Sequence, residues 1–220
     1  AMVIFVISGA LNLSLQAWLF KELKLRDASN DKSRLITVGT IIVAFCAIAE
    51  IVMAPEIILI LGGKKYLEAI WVIPPLAISV IVMYIYQQYV NILFYYKKTK
   101  FILFASVFAA MCNIILNAIF IPLFGYVAGG YTSLVSYLIV MILYFVLARK
   151  ECVANNIQMK NYFNTKLQMI ILIGTSIVAV AMVSVYMNAI ARYWLVLIMC
   201  VLLAATRKKW IPELRKGMKV

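Results

Sequence analysis

The chain has 220 residues, 66% of them hydrophobic, with a mean hydropathy of +1.01 and a formal net charge of +13. That composition excludes an ordinary water-soluble domain and makes the bilayer the solvent. Because the sequence contains no histidine, Ser-His and Cys-His catalysis are excluded, and a zinc or haem site is not expected.

Lipid offers no hydrogen-bond partners to backbone amides, so each span must be a helix of about 20 mostly apolar residues or a strand of a closed barrel. Unbroken Leu, Ile, Val, Phe and Ala runs contradict the short alternating segments of a barrel. The expected fold is all-α integral membrane with about seven spans, near residues 2 to 20, 35 to 61, 70 to 95, 101 to 121, 126 to 148, 167 to 188 and 190 to 206.

Span one carries Ser8, Asn12 and Gln16 at successive i+4 positions, on one helical face. Span two is longer than a bilayer requires, and Pro55 removes a helix bond to the carbonyl of Ile51, so a tilt or kink is expected there. Glu50 lies deep within that span and Glu56 nearer its outer end. A carboxylate at Glu50 reads either as a coupling-ion or proton site or as an acid facing water or a polar neighbour, and the structural alternative is favoured. Span three has Tyr84, Gln87, Gln88 and Asn91 at offsets of three, four and seven. Span four repeats the pattern with Ser106, Ala110, Asn113 and Asn117. A short turn from Pro122 to Gly125 then leads into span five, where Gly125-x-x-x-Gly129 precedes Thr132, Ser133, Ser136 and Tyr137. Polar side chains inside spans are costly and face a cavity or another helix, and helix packing and cavity lining are equally good readings of each set. After Thr175 and Ser176, spans six and seven are almost wholly aliphatic, as suits helices at the flank in contact with lipid.

The basic residues alternate by loop. Lys and Arg number five, three, four and six after spans one, three, five and seven, and two, zero and one after spans two, four and six. By the positive-inside rule the first set and the C-terminal tail face the cytoplasm. The charge is therefore topological, and no nucleic-acid partner is expected; membrane lipids are, with Arg207, Lys208 and Lys209 placed to touch anionic headgroups. An N-terminus outside, with no signal peptide before the first apolar run, leads to the expectation that this is the C-terminal part of a longer protein. The bland alternative is a complete seven-helix protein.

Cys46, Cys112, Cys152 and Cys200 imply no disulfide framework and have no metal-ligand spacing. Gly62-Gly63 is followed by Lys64-Lys65 without the rest of a phosphate-binding loop. With short outer loops as well, no enzymatic activity and no cofactor are expected.

The stretches GGKKYLEAIWVIPPLAISV, YVNILFYYKKTK and NIILNAIFIPLFGYVAGGYTSLVSY, within residues 62 to 150, resemble the C-terminal lobe of polysaccharide flippases. These belong to the multidrug/oligosaccharidyl-lipid/polysaccharide exporter superfamily, and the nearest kind is the O-antigen or capsule repeat-unit exporter of the Wzx type. The most specific piece is Asn113, Asn117, Ile121, Pro122, Gly125 and Gly129, followed by Tyr131 to Ser136. The resemblance implies a 14-helix protein in which residues 1–150 are five spans of the C-terminal lobe and 151–220 a cytoplasmic loop, a peripheral helix pair and a basic tail. It further implies translocation of an undecaprenyl-diphosphate-linked oligosaccharide from the inner to the outer leaflet by alternating access. The neutral candidates for sugar contact are Asn12, Gln16, Tyr84, Gln87, Gln88, Asn91, Asn113 and Asn117, with Pro122, Gly125 and Gly129 as a structural turn. One departure stands out: no predicted span carries Arg or Lys away from its ends to meet a diphosphate, so such residues are expected in an N-terminal lobe. A multidrug antiporter of the same superfamily, or a membrane glycan polymerase or ligase, are the alternatives.

Overall fold

The computed structural model describes residues 2–25 and 33–184, together with 186, 188, 190–195, 197 and 201. Among these residues there are helices and turns and no strand. The α-helices are α1 (Met2–Leu25), α2 (Ser33–Val52), α3 (Ala54–Leu61), α4 (Ile73–Tyr95), α5 (Thr99–Phe124), α6 (Ala128–Ala154) and α7 (Thr165–Val183), with 3-10 turns at Lys64–Val72 and Met159–Asn161. Among the described residues six helical stretches are long and apolar enough to cross a membrane: α1, α2, the turn at Lys64–Val72 continued by α4, α5, α6 and α7. The chain is an all-α integral membrane protein. Of the seventh predicted span, residues 190–195 are helical and most of the remainder lies outside the described residues. Cys200, Ser29 and the basic tail at Arg207, Lys208 and Lys209 also lie outside them.

Several helices run past the predicted spans, α1 to Leu25, α5 to Phe124 and α6 to Ala154. Hydropathy marks only the hydrocarbon-immersed stretch, whereas the backbone ladder continues into the interface until something caps it. The division at residue 150 accordingly falls inside α6.

The long second span is broken where its proline required. α2 ends at Val52, Met53 donates its N–H to the Ala49 carbonyl at 3.0 Å, and α3 starts at Ala54 with Pro55 in its first turn. Twenty residues of helix rise about 30 Å, enough to cross the hydrocarbon alone. α3 is thus free to change direction, and it ends where the Gly62 N–H bonds the Ile58 carbonyl at 2.8 Å.

α4 lies at the centre, packed against α1, α2, α6 and α7. Two glycines permit close approach. A Cβ on Gly39 of α2 would run into the Tyr84 hydroxyl, with Tyr84 Cζ at 3.0 Å, and a Cβ on Gly130 of α6 would meet Val72 Cγ1 at 3.0 Å and Pro75 Cγ at 3.1 Å. Among the described residues α5 packs mainly on α6, and only Ala105 and Ala109 of its side chains are buried. Its broad apolar face, with Phe104 and Ile114 turned outward, suits contact with lipid tails or another helix layer.

α7, expected at the flank, lies against α2 and α4. It reaches the centre through Gln168, fully buried near its start, whose Oε1 accepts from the Tyr89 hydroxyl at 3.4 Å. The Tyr89 ring sits edge-on to Phe145 and Phe163, which pins α6 and the segment before α7 to α4.

Candidate functional site

A buried hydroxyl in a helix can bond a carbonyl of its own helix, so it is a poor marker of a site. Ser8, Thr37, Thr40, Ser79 and Thr175 all do so, at 2.6–3.0 Å. Side-chain amides cannot be absorbed in this way as readily, and two groups of them join helices.

In the first group, Asn12 Oδ1 of α1 accepts from Gln88 Nε2 at 3.1 Å and from Asn91 Nδ2 at 2.9 Å, both on α4. The polar stripes of the first and third spans therefore face one another. Gln88 and Asn91 are buried and Asn12 is half-buried. Gln88 Nε2 also donates to the Tyr84 carbonyl at 3.3 Å. Three buried atoms along this face of α4 have no hydrogen-bond partner among the described residues: Tyr84 Oη, Gln87 Oε1 and Gln88 Oε1. Tyr84 is directed at α2, where the absent side chain of Gly39 leaves it room. Gln16, one turn beyond Asn12, takes no part in these bonds.

The second group zips α5 to α6. Asn113 Nδ2 donates to Ser136 Oγ at 3.2 Å, Asn117 Nδ2 donates to Asn113 Oδ1 at 3.0 Å, and the Thr132 hydroxyl donates to Asn117 Oδ1. Further along, Ser106 and Tyr144 hydroxyls are 2.6 Å apart, and Tyr144 also donates to the Ile102 carbonyl at 3.1 Å. Tyr86 of α4 packs on Tyr144 and Tyr137, with centroids 5.5 and 6.3 Å away. These amides bond across a helix pair and to each other, and no hydrogen bond among the described residues links them to the Asn12 group.

Glu50 is half-buried near the end of α2 and takes part in an interaction. At the turn after α5, Pro122 is inside the helix, and Gly125 caps it with φ of 73°, a left-handed conformation that glycine adopts without strain. A Cβ on Gly129 would lie 3.8 Å from Ile121 Cδ1, an ordinary distance; the close helix approach is made one residue later, at Gly130. Cys46, Cys112 and Cys152 are free thiols, and no group of metal-ligating side chains occurs among the described residues.

Two ion pairs were not legible in the sequence. Lys98 Nζ, in the turn after α4, lies 3.2 Å from Glu151 Oε1 near the end of α6. Arg192 Nη2 lies 2.5 Å from Glu56 Oε1. Each joins two segments that the charge pattern assigns to the same side of the bilayer.

No family model, curated protein or solved structure matches the chain. Two open grooves of about 500 and 510 Å³ are apolar, one between α5 and α6 beside Phe120, Phe124 and Tyr131, the other between α4, α6 and α7 beside Leu138, Leu172 and Ile173. Neither is lined by Gln88 or Asn91. In this conformation the amide contact of α1 with α4 is closed, and its unused acceptors are held inside the helix layer.

Proposed function

We propose that this chain belongs to an exporter that moves an undecaprenyl-diphosphate-linked oligosaccharide repeat unit across the bacterial cytoplasmic membrane, for O-antigen or capsule assembly. The observation that carries the reading is the Asn12–Gln88–Asn91 contact, along which Tyr84 Oη, Gln87 Oε1 and Gln88 Oε1 are buried with no hydrogen-bond partner among the described residues. Each buried polar group left unpaired costs about 1–3 kcal/mol, so a helix contact built only for packing has no use for three of them. They are useful if α1 and α4 part in another state and the amides bond a hydroxyl-rich, uncharged ligand. Neutral amides and phenols suit sugar hydroxyls better than charged groups do.

The resemblance over residues 62 to 150 supports the same reading, in which the chain is the C-terminal lobe of a 14-helix exporter with its C-terminus in the cytoplasm. Groups for the diphosphate come from the N-terminal lobe, while the polyprenyl tail stays in lipid. The protein transports and does not catalyse. Gln88→Ala with Asn91→Ala, in the full-length protein expressed in cells lacking their own exporter, lowers surface polysaccharide at normal protein abundance. Normal polysaccharide in that variant leaves the amides as packing contacts only.

A multidrug antiporter of the same superfamily is the second reading, favoured by the half-buried carboxylate of Glu50 in α2. Under it, Glu50→Gln abolishes pH-dependent export while protein abundance is kept; unchanged pH dependence removes it.

A further inference from the structure

The end of the bundle away from α3 gathers cations from two segments. Lys98, in the turn between α4 and α5, has its Nζ 3.2 Å from Glu151 Oε1 near the end of α6. About one turn further into α5, Tyr144 Oη donates to the Ile102 carbonyl at 3.1 Å, so α5 and α6 stay together up to the ion pair. The pair holds the turn against α6 and brings Lys97 and Lys100 to the same end as Arg149 and Lys150, all four of them exposed. Glu151 is spent on Lys98, and none of the four has a carboxylate at ion-pair distance among the described residues.

Apolar surface begins directly beside these cations. Phe101, Phe104 and Phe108 follow one another on one face of α5 and are 45%, 70% and 52% exposed. Lys100 lies one turn before Phe104 on that face. A partner that suits both parts is negative at one end and apolar at the other, and sits where a helix leaves the hydrocarbon. An acidic protein segment or a free anion would meet the cations and leave the rings uncovered. An anionic phospholipid covers both, with its phosphate among the cations and its acyl chains along the rings.

We infer that Lys97, Lys100, Arg149 and Lys150 form a binding site for the headgroup of an anionic phospholipid whose chains lie on Phe101, Phe104 and Phe108. The site goes beyond the export reading and does not depend on it. The competing reading is that these charges only orient the chain in the membrane.

Lys97 supplies a variant that separates binding from folding. It takes φ of 56°, in the left-handed region, where it closes α4 with its N–H on the Phe94 carbonyl at 3.0 Å and the Lys98 N–H on the Leu93 carbonyl at 2.8 Å. Glycine is the usual residue at such a helix end, and a lysine there is strained. Lys97→Gly therefore removes a cation while keeping or raising stability.

The test uses the full-length protein in uncharged detergent, titrated with short-chain phosphatidylglycerol or phosphatidylcholine, with bound lipid measured by native mass spectrometry. The wild type binds phosphatidylglycerol in preference. Lys97→Gly and Lys100→Gln each weaken that binding about fivefold and together about 25-fold, and thermal unfolding without lipid shows Lys97→Gly at least as stable as the wild type. Lys64→Gln with Lys65→Gln, which removes two exposed cations at the other end of the bundle, leaves binding unchanged. Inorganic phosphate in large excess does not displace the lipid. Unchanged binding in the Lys97→Gly/Lys100→Gln protein, an equal loss in the Lys64/Lys65 variant, or no preference for phosphatidylglycerol overturns the site and leaves the charges to orientation alone. Displacement by inorganic phosphate overturns the lipid as its occupant.

Discussion

Gly39→Ala tests how α2 and α4 meet. Tyr84 is fully buried, and a methyl group at position 39 would overlap its hydroxyl, with Tyr84 Cζ at 3.0 Å and Leu15 Cδ1 at 3.4 Å. Neither α2 nor Tyr84 can yield freely, because α4 packs on the opposite side against α6. Inserting carbon into a packed interior costs about 1–3 kcal/mol, and the directness of this overlap puts the expected loss near the upper end. Tyr84→Phe deletes the clashing oxygen, which has no partner among the described residues, and is therefore neutral or mildly stabilising alone. In the Tyr84→Phe background Gly39→Ala costs less, because only the carbon at 3.0 Å must give way. The expected coupling between the two is about 1–2 kcal/mol, within the range for residues in contact. Reversible unfolding of the full-length protein in mixed micelles, measured for all four combinations, reads this out. Additive effects would show that the Tyr84 hydroxyl does not occupy the space at Gly39, and with it the packing of α2 on α4 would fall.

Asn113→Ala or Asn117→Ala loosens α5 from α6 by about 0.6 kcal/mol per lost bond and at most about 1.7, typical of hydrogen bonds between membrane helices, with export kept; lost export at unchanged unfolding would return those amides to the transport path. Glu56→Ala or Arg192→Ala leaves one charge of a pair whose side chains are only 20% and 10% exposed uncompensated and lowers stability by about 3 kcal/mol, the lower end for a buried pair. The charge-swapped pair Glu56→Arg with Arg192→Glu recovers part of that loss, and equal instability of the swap and the single variants would mean that the two charges do not meet. Cysteines introduced at Ser29 and Asn155 are labelled by an impermeant thiol reagent only from the cytoplasmic side and one at Phe124 only from outside, in a background free of native cysteines. Labelling of position 155 on intact cells would invert the orientation.

The spans were legible because twenty-residue apolar runs have one physical outlet, a helix across lipid. The break beside Met53 was legible too, since a proline has no N–H to continue the ladder. Which polar faces meet was not. The stripes of α1 and α4 could be drawn on one helical face each, but nothing local says that Asn12 Oδ1 accepts from both Gln88 and Asn91. The aliphatic character of α7 suggested a lipid-facing flank, yet a single glutamine, Gln168, marks the side that lies on α4. Gly39 and Gly130 carry no signal in the sequence, because a glycine's value in a membrane interface depends on the side chain opposite, Tyr84 in one case and Val72 with Pro75 in the other. Glu56 and Arg192 are 136 residues apart, beyond any periodicity, and only the assembled bundle brings them together.

Export of a lipid-linked sugar can be followed by lipid translocation in a purified system. Full-length protein reconstituted into liposomes would be supplied with undecaprenyl-diphosphate-linked repeat unit in the inner leaflet, and its arrival outside measured with an impermeant glycosidase or lectin. An exporter of this kind gives protein-dependent translocation that Gln88→Ala with Asn91→Ala slows and that a soluble cationic drug does not compete with. No translocation by folded protein, or transport of the cationic drug in its place, would contradict it.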